Sequence, residues 1–200
     1  FNNNAPMMNH QVSVSGASEK VNYLFSLGFY TQDGIVGGNF DRSNYERLTL
    51  RSNTQYTLFD ESKERNWLNS LKVTSNLSYA RIKSTSFDDN STWGTPLGSA
   101  LALSPILNVY DETEEAIKAQ FDKYGTTAEY TPVYDPRNGK LFSIPGEFGE
   151  MSNPIAKLSL PGDKHWSHKF VANFSAELQL WDNLKFKTSY GADLSFWGYD

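Results

Sequence analysis

Cysteine is absent from this 200-residue chain. Its absence excludes disulfide frameworks, thiolate metal sites and cysteine nucleophiles. Long apolar runs are absent too: no stretch approaches the ~18 residues of a membrane-spanning helix. The opening Phe1-Asn2-Asn3-Asn4 has neither the basic nor the apolar region of a signal peptide, so an exported protein would have lost its start or had it removed. Basic residues are scattered, and the net charge is −5. Nucleic acid is not expected as a partner, because phosphate binding needs clustered Lys and Arg. G-x-S-x-G, P-loop and G-x-G-x-x-G motifs are missing, so neither an enzyme nor a cofactor is expected.

Aromatic residues are plentiful: 11 Tyr, 13 Phe and 5 Trp make up 14% of the chain, against a mean hydropathy of −0.54. Such residues favour strands and form the interfacial girdles of membrane barrels. The informative signal is alternation, which marks strands with two unlike faces. From Lys20 to Tyr30, Val21, Tyr23, Phe25, Leu27 and Phe29 alternate with Asn22, Leu24, Ser26, Gly28 and Tyr30. From Lys169 to Trp181, Phe170, Ala172, Phe174, Ala176, Leu178 and Leu180 alternate with Asn173, Ser175, Glu177 and Gln179, Val171 being the exception. Leu184, Phe186, Tyr190, Ala192, Leu194 and Phe196 then oppose Lys185, Lys187, Ser189, Asp193 and Ser195. Gln11–Gly16, Tyr45–Leu58 and Leu71–Arg81 fit more loosely. The expectation is an all-β chain of about six antiparallel strands.

Many of these strands reach roughly ten residues, where globular strands run ~5–6 and tilted membrane-spanning strands ~9–11. Their connections alternate in length. Gly16-Ala17-Ser18-Glu19 and Trp181-Asp182-Asn183 are tight turns, Asp60–Trp67 is a moderate link, and Gln32–Arg42 and Ser84–His168 are long. Short periplasmic turns and long extracellular loops are the asymmetry of outer-membrane barrels. In such a barrel the apolar face meets lipid and the polar face lines the lumen. The lipid-facing set is then Val21, Tyr23, Phe25, Leu27, Phe29, Phe170, Phe174, Leu178, Leu180, Phe186, Tyr190 and Leu194. Tyr30, Trp67, Trp166, Trp181 and Trp197 lie near strand ends, as an interfacial belt requires.

Residues 84–168 are too many for a structureless loop. Pro96–Ser104 reads as a helix stopped by Pro105. Asp111 opens a second helix, with Glu114 at capping-box spacing, Ile117, Phe121 and Tyr124 on one face, and Gly125 at its end. Tyr134-Asp135-Pro136-Arg137-Asn138-Gly139-Lys140 holds an Asn-Gly pair suited to a hairpin tip. No metal site is expected. His165 and His168 point to opposite faces of a strand, Asp88-Asp89-Asn90 lacks the spacing of a calcium loop, and Glu147 and Glu150 read as a solvated pair.

The run from His10 to Tyr23, continuing through Ser26 to Val36, resembles the start of the barrel region in SusC/RagA-like TonB-dependent transporters. Tyr45–Asn53, Ser104-Pro105 with Val109-Tyr110-Asp111, Asn153-Pro154-Ile155-Ala156 and Leu184–Ser189 resemble later elements of that family in the same order. The stretch from Glu114 to Gly149 resembles no family element. The resemblance implies that residues 1–200 are part of an outer-membrane barrel of about 22 strands. It implies import of oligosaccharides, peptides or similar nutrients, powered by the TonB–ExbB–ExbD complex and covered by a SusD-like lipoprotein lid. The plug and TonB box that the family carries are not in this sequence. Residues 84–168 would form one extracellular loop, whose Phe87, Trp93, Tyr130 and Tyr134 are flat enough to stack on sugar rings. The rival readings are a soluble β-sandwich, as a glycan-binding module or surface adhesin, and another outer-membrane barrel such as a porin.

Overall fold

The structure is a computed structural model; it describes residues 1–37, 39–59, 67–87, 94–111, 113–124, 131–144 and 151–200. Six strands form one antiparallel sheet in sequence order: β1 (Met7–Ala17), β2 (Val21–Asp33), β3 (Asn44–Phe59), β4 (Ser70–Ser86), β5 (Asp163–Trp181) and β6 (Leu184–Tyr199). Each strand pairs with its sequence neighbours, as in a stretch of an up-and-down barrel wall. The expected strand count and order hold, and every strand is longer than its alternation predicts. β5 runs for 19 residues and β4 for 17. Alternation ends where polar and aromatic residues take over, but backbone pairing continues past that point because the ladder does not depend on side-chain polarity.

Register follows the hydrophobic pattern. Val12 faces Leu27 and Val14 faces Phe25 across β1 and β2. Phe170 faces Leu194, Phe174 faces Tyr190 and Leu178 faces Phe186 across β5 and β6. A one-residue slip would move each strand's apolar set to the other face, so these pairs fix the register. The alternation breaks at the end of β5. Gln179 pairs with Lys185, yet Trp181 pairs with Leu184, leaving Leu180 as the extra residue of a bulge. Trp181, not Leu180, therefore opposes Leu184.

The chain divides into two compact units. A sheet unit comprises Pro6–Asp33, Tyr45–Ser84 and Lys164–Asp200. A loop unit comprises Phe1–Ala5, Gly34–Asn44 and Thr85–Asp163. The buried apolar side chains among the described residues are Ile117, Leu141, Phe142 and Leu158, all in the loop unit.

Three helices shape the loop unit: α1 (Pro96–Ala102), α2 (Glu114–Tyr124) and α3 (Pro154–Ser159). α1 occupies the expected segment, with Thr95 Oγ1 accepting from Gly98 N at 3.2 Å. α2 begins later than expected. Thr113 Oγ1, not Asp111, accepts from the helix start at Ala116 N (3.2 Å). Asp111 instead accepts from Gln120 Nε2 at 3.2 Å. Ile117 of α2 is fully buried, while the side chains of Phe121 and Tyr124, and Gly125, lie outside what is described.

Candidate functional site

The apolar face of the sheet is uncovered. Phe25, Leu27, Phe170, Phe174, Phe186, Tyr190 and Leu194 keep between 43% and 71% of their surface exposed. Val21, Phe29, Leu178 and Leu180 are half-buried, and Tyr23 is exposed. Among the described residues there is no second sheet to cover them. Fully burying one such side chain is worth ~1.5–3 kcal/mol. With each about half exposed, seven leave roughly 5–10 kcal/mol unrealised. That is comparable to the whole net stability of a domain, about 5–15 kcal/mol. A sandwich interior would have gained this energy; the sandwich expectation fails on Phe170, Phe174 and Leu178, which lie under no facing sheet.

A shallow concavity of about 490 Å³ crosses this face, with Val12, Phe25, Leu27, Leu50, Leu77 and Phe170 in its lining. Its lining is mostly apolar, whereas ligand pockets of this size add a few convergent polar groups. Toward the end of β5 that begins at Asp163, aromatic contacts take over. The Tyr79 ring packs 4.7 Å from Phe170, and its hydroxyl bonds His168 Nδ1 at 2.8 Å. Trp166 meets His168 edge-on at 5.5 Å, and a Cβ on Gly198 would stand 2.7 Å from the Trp166 ring. An indole therefore fills the space that Gly198 leaves open. His165 packs instead on Tyr199, 5.1 Å between ring centres, so the two histidines have different partners.

The loop unit is organised by two polar hubs that the sequence reading did not single out. Asn153 Oδ1 accepts from Ile155 N and Ala156 N, capping α3, while its Nδ2 donates to the carbonyls of Val109 (2.9 Å) and Ser143 (3.0 Å). Asn followed by Pro at the first helical position was the available signal. The second hub is Asp135, fully buried. It accepts from Arg137 N and Nε (both 2.9 Å), Arg137 Nη2 (2.7 Å) and the Tyr110 hydroxyl (2.7 Å). The Arg137 guanidinium, with smaller help from Tyr110, holds this carboxyl well below the usual carboxylate range against the opposing effect of burial. The hairpin closes around it: Tyr134 bridges Leu141, Asp135 O accepts from Gly139 N at 2.8 Å, and Gly139 takes a φ of 70°. Only glycine adopts that conformation without strain.

Arg42 is the unsatisfied buried group among the described residues of this unit. It is buried, and its Nε and Nη1 have no hydrogen-bond partner among the described residues. Desolvation lowers its pKa, and the Asp163 charge partly offsets this.

The aromatic substrate candidates do not form a described cluster. Phe87 is half-buried after β4. Tyr134 is exposed, and its hydroxyl donates to the Glu114 carboxylate. Trp93 and Tyr130 lie outside the described residues, as do Asp88-Asp89-Asn90, Glu147 and Glu150.

Sheet order and uncovered face define a class: part of the wall of a β-barrel, carrying long structured links. No family model matches the chain. It is 28% identical over 177 residues to the TonB-dependent receptor SusC of Bacteroides thetaiotaomicron, covering 86% of this chain and 15% of that protein. It is 32% identical over 170 residues to TonB-dependent receptor P26 of Formosa agariphila, covering 85% of this chain and 13% of that protein. TonB-dependent receptor P3 of the same organism is 26% identical over 184 residues. The chain is thus SusC-like, and corresponds in sequence to a segment of a TonB-dependent receptor. It spans about a seventh of the length of the curated relatives it matches.

Proposed function

We propose that the chain forms part of the wall and outer loops of an outer-membrane barrel that imports a nutrient in a TonB-dependent manner. The observation that carries this is the uncovered apolar face running across strands as long as 19 residues. Lipid supplies the burial that the chain does not supply for itself. Similarity to TonB-dependent receptors over 85% to 92% of the chain supports the same reading. On it, Val21, Tyr23, Phe25, Leu27, Phe29, Phe170, Phe174, Leu178, Leu180, Phe186, Tyr190 and Leu194 face hydrocarbon. The link between β4 and β5, expected over residues 84–168 and shortened at both ends by those strands, forms an extracellular loop where Phe87, Trp93, Tyr130 and Tyr134 meet cargo or a SusD-like lid. The cargo is an oligosaccharide or peptide, and TonB–ExbB–ExbD engages the receptor through residues beyond this chain.

The test is fractionation of cells producing the full-length receptor, followed by nutrient uptake with and without TonB. The expected result is recovery with the outer membrane, release only by detergent, and uptake that stops when TonB is removed. Recovery in the soluble fraction without detergent would overturn the reading.

A further inference from the structure

The polar face of the sheet is cationic although the chain as a whole carries −5. By strand alternation the sheet unit places six cations there: Arg47, Arg51, Lys72, Lys169, Lys185 and Lys187. It places two acids there, Glu177 and Asp193. Both acids are already matched. Glu177 stands opposite Lys187 in register, and Asp193 pairs with Lys169 at 3.4 Å. Among the described strand residues of the sheet unit, alternation places no further acid on this face for Arg47, Arg51, Lys72 and Lys185.

Two of these cations line a shallow polar groove of about 130 Å³ on β1–β3, together with Asn9, Gln11, Gly28 and Tyr30. Gly28 stands opposite Gln11 in register and leaves the floor open: a Cβ there would meet nothing nearer than Thr49 Cβ at 3.8 Å. The Arg47 guanidinium lies 5.7 Å over the Tyr30 ring, which restricts its orientation. Gln11 Nε2 donates to Ser26 Oγ at 3.2 Å, which fixes its amide. Arg47 and Arg51 are four positions apart, about 13 Å along a strand, so the two meet different groups of one extended ligand.

We propose that this groove binds an oligosaccharide bearing carboxylate groups. The inference rests on the import reading above and names the cargo class. Guanidinium groups present a planar fork that matches carboxylates two bonds at a time. The amides of Asn9 and Gln11 and the hydroxyls of Ser26, Thr49 and Tyr30 supply donors and acceptors for sugar hydroxyls. The groove is lined by no acid that would repel such a ligand. Neutral sugars would use the amides and hydroxyls alone and leave both guanidiniums without their charge partner.

The experiment is calorimetric titration of the full-length, detergent-purified receptor with trigalacturonate and with neutral galactotriose. Trigalacturonate should bind at least about tenfold more tightly, with an advantage that shrinks as salt is raised. Arg51→Gln should abolish most of that advantage with the thermal midpoint unchanged; Arg51→Lys should keep part of it. Equal affinities, failure of both sugars to bind, or an Arg51→Gln receptor that keeps its preference would overturn the proposal. So would protection of Arg51 from an arginine-modifying dicarbonyl in the sugar-free receptor, because the receptor's own chain would then fill the groove. A receptor that fractionates with the outer membrane but ignores the acid loses only this inference. A receptor soluble without detergent loses the import reading beneath it.

Discussion

Phe174→Arg probes the assignment of the sheet faces most directly. The apolar run of β5 extends from Phe170 to Leu180 and is centred on Ser175, so Phe174 lies within one residue, ~3.3 Å, of its middle. An arginine at a bilayer midplane costs a barrel about 2–4 kcal/mol. Loss of the cross-strand partner Tyr190 adds about 0.2–1 kcal/mol. The neighbouring Ser175→Arg makes the control. Ser175 pairs with Ser189 on the opposite face, where an arginine keeps its water, and the expected cost is within about 0.5 kcal/mol. Urea unfolding of the full-length receptor refolded into lipid vesicles measures both. A Phe174→Arg midpoint matching that of Ser175→Arg would refute the reasoning, because both faces would then meet the same solvent.

Three further predictions concern the loop unit in the full-length receptor. Asn153→Ala removes the α3 cap and two ties to the Val109 and Ser143 carbonyls; a loss of about 1–2 kcal/mol in local stability, read by amide hydrogen exchange, is expected. Asp135 has a folded pKa depressed below its unfolded value of about 3.9. Its contribution is therefore complete above about pH 4 and fades as pH falls below that. Pepsin cleavage of residues 131–144 should rise steeply with acid in the native chain, and Asp135→Asn should be cut readily with little pH dependence; identical profiles would count against the hub. Arg42→Met replaces a buried guanidinium that has two unpartnered nitrogens by an apolar side chain, so stability should hold or rise in thermal melts. A clear fall would mean that a group outside the described residues satisfies Arg42.

Strand identity and the pairing of like faces followed from the sequence because they rest on a period of two, which each strand carries in itself. Val12 with Leu27, and Phe170 with Leu194, are consequences of alternation plus short turns. The start of α2 was misread because Asp111 and Thr113 are both good caps, and the competition is decided by where Gln120 draws the Asp111 carboxylate. α3 was not foreseen as a helix: six residues carry too little periodicity to reveal one.

The sequence alone determined that this chain makes long two-faced strands, since alternating side chains and turn residues act over a few bonds and need no distant partner. Tertiary structure decided which polar groups are buried and, among the described residues, which cations meet an acid. Asp135 stands in the sequence only as part of a hairpin tip; the fold brings Tyr110, 25 residues away, into hydrogen bond with its carboxylate. Arg47 and Arg51 became a site only through Gly28, Gln11 and Asn9 on strands beside them. Burial and charge matching belong to sets of residues that only the folded sheet and loops bring within a few ångströms.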